Sequence, residues 1–184
     1  MRMNHLSHFV SIKLFLVFAS QLMNSIIYLA TNSIDIITAF VTFHHVSRVR
    51  DTLKELARIV RPGGYLILRE HDCKNERSFS AKYLNFVHAI MMIAGVGEFE
   101  NFSSNHNGTN QHGTDDYIDD TNDWTKQKSR IIEYIKTIYY RSCDEWQQQL
   151  ESVGFRLRGT LHYGADTSSN PQKLFYGVYQ LNNK

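Results

Sequence analysis

The sequence predicts an α/β fold, and two observations carry that expectation. The stretch from Asp35 to Asp72 holds a buried strand, a helical pattern, a turn and a second buried strand in quick order, which is one βαβ unit. The chain closes with two apolar or alternating runs, Phe155 to Tyr163 and Leu174 to Leu181, joined by a Ser/Asn/Pro turn and therefore expected to pair antiparallel. At 184 residues, 42% of them hydrophobic, the chain fits one domain with a real core.

Residues 1 to 32 form an atypical apolar segment. Phe9 to Ala30 is largely apolar but interrupted by Lys13 and several polar residues, too broken for a transmembrane helix. Leu14 to Ala19, behind Arg2 and Lys13, also has the form of a short signal-peptide core, and sequons at Asn101 and Asn107 would suit a secreted protein. The preferred reading is a buried strand over Ile12 to Phe18 and a cytoplasmic protein, with secretion as the alternative. The two cysteines, Cys73 and Cys143, then read as reduced thiols rather than a disulfide scaffold. A net charge of +2, with scattered basic residues, gives no clear nucleic-acid or membrane signal.

The remaining elements follow in order. Asp35 to Phe40 is the first buried strand of the βαβ unit. A helix is expected from an N-cap near Ser47, with Val49, Leu53, Leu56, Ala57 and Val60 at helical spacing, ending at Pro62-Gly63-Gly64. Tyr65 to Leu68 is a short apolar run, read as a strand covered on both faces. A second helix spans about Phe79 to Ala94, where Met91 and Met92 read as core filler. Residues 95 to 125 turn polar and read as a loop or disordered insertion. Its acidic run, Asp115 to Asp120, lacks the glycine and final glutamate of a calcium loop. Helical spacing resumes over Lys126 to Tyr140. Ser142-Cys143-Asp144-Glu145 is a capping box opening a helix through Trp146 and Leu150 that stops at Gly154.

The segment Ser33-Ile-Asp-Ile-Ile to Phe43-His-His-Val46, followed by Leu53-Lys-Glu-Leu-Ala-Arg-Ile-Val-Arg-Pro-Gly-Gly-Tyr-Leu-Ile-Leu68, resembles the class I S-adenosylmethionine-dependent methyltransferases, the type-11 branch most closely. Glu145 to Phe155 is similar to that family's last helix and the turn into its final hairpin. The run Arg69 to Cys73, with Tyr140-Arg141-Ser142, also resembles methyltransferase-like segments of some viral proteins. The resemblance implies a Rossmann-like sheet of strand order 3-2-1-4-5-7-6, of which strands 4-5-7-6 are retained with flanking helices, over a methyltransferase-like domain at residues 33 to 184. The family's glycine-rich loop after strand one and the acid ending strand two have no counterpart, and no glycine precedes Gly63. The expectation is therefore an N-terminally truncated or degenerate member. An unpaired strand four would expose its amides; Ile12 to Phe18 is the candidate replacement beside it. Otherwise that edge is the place for a protein partner or self-association.

The resemblance also nominates site residues. Ala39, Phe40, Val41 and His44 would meet S-adenosylmethionine at the end of strand four. His71, Asp72 and His45 are the candidate catalytic groups, since an imidazole beside a carboxylate can take a proton from an acceptor. Glu70 and Arg141 are the candidates for substrate contact. His45 can also be read as a metal ligand with His71 or Cys73, but the spacing is not compact and no metal is expected. His88, on a mostly apolar helix, reads as a satisfied core histidine, and Tyr140 and Trp146 as packing residues. Two functions stay open: a methyltransferase, or its C-terminal part, acting on an unidentified acceptor, and a catalytically inactive binding or scaffold domain.

Overall fold

The structure is a computed structural model that describes residues 14–17, 27–99, 120–163 and 171–182. The sequons and most of the polar insertion lie outside these residues. Five strands form one sheet: β1 (Leu14–Val17), β2 (Ile34–Phe40), β3 (Val60–His71), β4 (Phe155–Tyr163) and β5 (Leu174–Leu181), in the order β1-β2-β3-β5-β4. The first three are parallel; β5 runs antiparallel to both β3 and β4. β1 lies against β2 with Leu14 opposite Ile36 and Val17 opposite Ala39. The edge of β2 that sequence analysis leaves open for self-association is thus paired within the chain, because the short apolar run supplies the missing backbone partners.

Helix α1 (Val49–Ile59) crosses from β2 to β3 and buries Val49, Leu53, Leu56 and Ile59. Its cap differs from the expectation. Arg48 holds the N-cap position and makes no side-chain cap bond, while its guanidinium bonds Asp51 in the first turn. Ser47, the expected cap, stays exposed one residue before the cap position. The helix ends before Pro62, which lacks the amide to continue it. β3 then begins at once, five residues ahead of the expected Tyr65. Ile34 pairs with Val60 but Ile36 with Tyr65, so residues 61–64 bulge out opposite Asp35. Gly64 is needed there: a Cβ would stand 2.8 Å from the Asp35 carbonyl oxygen and 2.9 Å from that of Arg61. A cluster formed by Glu55 and Arg58 ties residues 27–31 down to α1. Arg58 donates to the carbonyls of Ile27 and Leu29, and Glu55 accepts from the Ile27 amide.

Helix α2 (Phe79–Ala94) is capped by Ser78, whose hydroxyl accepts from the Ala81 amide, and stops at Gly95 in the left-handed conformation. Helix α3 (Asp120–Ile135) packs against α2. It begins inside the expected loop and ends before the expected Tyr140. The reason for the early end is tertiary: the Tyr139 amide donates to the His44 carbonyl at 2.7 Å, pulling the chain out of the helix and toward the end of β2. Helix α4 (Cys143–Glu151) carries the expected capping box, with Ser142 and Glu145 bonding each other's amides. α1 and α4 cover one core with Ile37, Leu66, Trp146, Phe155, Phe175 and Tyr179. A second, smaller cluster joins Cys73, Ala81, Leu84, Ile138 and Tyr140. Among the described residues no helix is long and apolar enough to cross a membrane.

Candidate functional site

Phe40 and Arg69 are register partners, so the carboxyl ends of β2 and β3 emerge side by side. The chain after Phe40 turns sharply. Val41 has φ +51°, a left-handed conformation that a β-branched residue adopts only under constraint, at a cost of about 1–3 kcal/mol. Its amide donates to the Arg69 carbonyl at 2.7 Å. A single 3-10 turn, Phe43–His45, follows. Glu70 is what fixes this turn. Its Oε1 accepts from the Thr42 amide at 2.9 Å and the Phe43 amide at 2.7 Å, and its Oε2 meets His44 Nδ1 at 2.8 Å. Glu70 is 1% exposed. Burial pushes its carboxyl up, but His44, His71 and the Phe43 amide together bring it below the ordinary value. The carboxylate accepts only, so His44 carries its proton on Nδ1.

The adjoining candidates are also held from several sides. His71 Nδ1 donates to the Gln172 carbonyl at 2.8 Å. Burial, with repulsion from His44 and His88, lowers its pKa, which leaves a neutral ring with a lone pair on Nε2. Asp72 Oδ1 accepts from the Cys143 amide at 3.0 Å at the start of α4, where an acid also complements the helix dipole. Asp72 lines a hollow of about 420 Å³ with Lys74, Ser142, Cys143, Asp144 and His162. Arg141 donates to the Tyr139 carbonyl and lies over the Trp146 ring at 4.8 Å, a cation–π contact. Burial pushes the thiol of Cys73 up to about 12 and that of Cys143 to about 11, so both are protonated at neutral pH.

The His45 ring lies against that of His44, with ring centres 4.0 Å apart and planes tilted by 45°, and its Nδ1 faces the Tyr134 hydroxyl at 3.3 Å. Burial and the neighbouring rings of His44 and His88 push its pKa down to about 3. His88 reaches in from α2, its Nδ1 3.3 Å from the Tyr140 hydroxyl. Sequence analysis reads His88 as a core residue. Nothing in linear spacing connects it to His44 and His45; the packing of α2 does that.

The four candidate cofactor contacts divide. Ala39 is fully buried and His44 is 1% exposed, both facing protein. Phe40, 47% exposed, and Val41 line the open end of the sheet. The amides of Thr42 and Phe43 are committed to Glu70. Of the four, Phe40 and Val41 are the ones with exposed or partly exposed side chains at this end of the sheet. Val17, on β1, sits beside Ala39, and residues 18–26 beyond it lie outside the described residues.

Residues 8–68 match the family model for a methyltransferase domain. That match covers about a third of the chain and likens this segment to a methyltransferase domain. The matched residues run from β1 into β3, the parallel half of a mixed, partial Rossmann-like sheet. Among solved structures, the chain is similar to a SAM-dependent methyltransferase from Methanosarcina mazei (16% identity, 87% of this chain and 65% of that one, TM-score 0.48). It is also similar to one from Thermotoga maritima (16%, 86% and 60%, 0.45). A third is a chain of the complex between the Haloferax volcanii Trm112 methyltransferase activator and a putative methyltransferase (13%, 88% and 60%, 0.47). The methyltransferase-like chain thus spans about 60–65% of the length of these proteins. With TM-scores below 0.5, the likenesses decide nothing about the site. No curated protein sequence matches the chain significantly.

Proposed function

We propose that this methyltransferase-like chain binds S-adenosylmethionine along the carboxyl ends of β1 and β2 and supports methyl transfer to an acceptor held near the end of β3. One observation carries the reading: β1 lies parallel beside β2, so a crevice can form past the adjacent carboxyl ends of β1, at Val17, and β2, at Phe40 and the following Val41. The bound sulfonium would supply an activated methyl group. The residues of the chain would align the acceptor and exclude water, which is most of what such a transfer requires.

In this reading Phe40 gives an aromatic face to the cofactor, and the strained Val41 fixes the crevice wall. His71, neutral and with its Nδ1 proton fixed on Gln172, is the group able to take a proton from an acceptor. Asp72 lines the hollow where the acceptor would sit. Glu70 acts as a positioning residue: its acceptor capacity holds the turn after Val41. The free thiols Cys73 and Cys143 support a reducing, cytoplasmic setting.

A specific observation favours the second reading, a binding domain without catalysis. Residues 18–26, which follow β1 in the sequence, include no glycine, and close approach of backbone to a cofactor normally calls for one. Calorimetric titration of the full chain with S-adenosylmethionine and S-adenosylhomocysteine separates the two. Micromolar binding of both is the expected result; no heat of binding at millimolar ligand, from a chain folded by circular dichroism, supports the second.

A further inference from the structure

His44, His45 and His88 each offer a ring nitrogen, and these atoms all lie within 4.8 Å of one another. We propose that the three imidazoles form a binding site for a divalent transition-metal ion of the Zn2+ type, joining the end of β2 to α2. The sequence reading expects no metal; the site becomes visible only when α2 brings His88 to the paired histidines.

The decisive observation is His44 Nε2. This atom is buried in a residue 1% exposed and has no hydrogen-bond partner among the described residues. An orphaned nitrogen in such a place costs about 1–3 kcal/mol, and a coordinated ion would satisfy it. Its other nitrogen is held by Glu70 at 2.8 Å. A carboxylate on the far nitrogen of a ligating histidine fixes the tautomer, orients the ring and raises its basicity. The other two rings follow the same plan with different partners. His45 Nδ1 meets the Tyr134 hydroxyl and His88 Nδ1 the Tyr140 hydroxyl, each at 3.3 Å. Each ring thus has an outer partner on Nδ1, which for His44 leaves Nε2 as the ligand atom.

The dimensions and chemistry fit. Four-coordinate Zn2+ with bonds near 2.0–2.1 Å places its nitrogens about 3.3 Å apart. The histidine nitrogens would close by about 1.5 Å at most, which rotation of the half-buried His45 ring can supply in part. Three neutral imidazoles suit Zn2+, Cu2+, Ni2+ or Co2+ and disfavour Mg2+ and Ca2+, which prefer oxygen. Three protein ligands leave a fourth position for water or for an anionic group of a ligand. The ion would add a cross-link between α2 and the sheet, where packing is otherwise carried by the small cluster around Cys73 and Leu84.

The test uses the full chain after chelator treatment and dialysis. Co2+ is titrated against visible absorption, and Zn2+ against thermal unfolding and by competition with bound Co2+. One equivalent of Co2+ should give the intense ligand-field bands of a four-coordinate site, and Zn2+ should displace it. At a hundredfold excess of Zn2+ over its Kd, Tm should rise by roughly 5–10 °C. His45→Gln and His88→Gln should each lower affinity at least a hundredfold. Glu70→Gln should lower it by about 10–100-fold, through the outer partner. His45 is only half-buried, so its variant keeps the test open if the others unfold. The proposal is overturned if the folded chain binds no Co2+ or Zn2+ at micromolar concentration. Tight binding that survives His45→Gln and any folded variant of the other two also overturns it, since the ion then sits elsewhere.

Discussion

Replacing Glu70 with alanine removes three bonds at once: the acceptors of the Thr42 and Phe43 amides and the partner of His44 Nδ1. Each group left buried and unsatisfied costs about 1–3 kcal/mol. Partial entry of water relieves some of that, which gives a net loss of about 3–5 kcal/mol, the range found when one member of a buried pair is deleted. For a chain of this size Tm falls by roughly 6–20 °C, which circular dichroism in thermal and urea unfolding reads directly. Glu70→Gln keeps a carbonyl oxygen for the two amides but turns an NH2 donor toward His44 Nδ1, so the charge and that acceptor are lost together. It should cost about 1–2 kcal/mol. The folded-state pKa of Glu70 lies below its ordinary value. Its contribution is therefore complete above the ordinary carboxylate range, about pH 4–5, and disappears as pH falls through the lower folded value. Glu70→Gln should remove that part of the acid sensitivity. Alanine and glutamine variants both within about 0.5 kcal/mol of the parent would refute the claim that this carboxylate pins the turn.

Two further outcomes follow from the backbone. Gly64→Ala should cost about 1–3 kcal/mol in urea unfolding, because its Cβ meets the carbonyl oxygens of Asp35 and Arg61, which cannot rotate away. Arg58→Met should release residues 27–31 from α1, seen as lost hydrogen-exchange protection at the Ile27 amide with little change at Leu56.

The βαβ unit, the Ser142–Glu145 capping box and the closing strand pair were legible because each is written in local sequence: apolar runs, cap residues and turn residues a few positions apart. The placement of β1 was legible by elimination, since an apolar strand such as β2 requires a backbone partner on each side. Boundaries were less so. The early start of β3 depends on Gly64 fitting against the Asp35 carbonyl, and the end of α3 on Tyr139 reaching the His44 carbonyl. Neither contact leaves a local signal. The sequence nominates site residues singly and carries no signal of their arrangement. Glu70 was read as facing a ligand and instead faces the backbone of the neighbouring strand end, because register places it beside Thr42 and Phe43. His88 joined the histidine cluster only through the packing of α2.

The most direct measurement is a two-dimensional amide NMR spectrum of the labelled chain with and without saturating S-adenosylhomocysteine. The account predicts the largest shifts among the described residues at Phe40 and Val41, with lesser ones at His71 and Asp72. Shifts confined to the α1–α4 side of the core, or an unchanged spectrum, would contradict it.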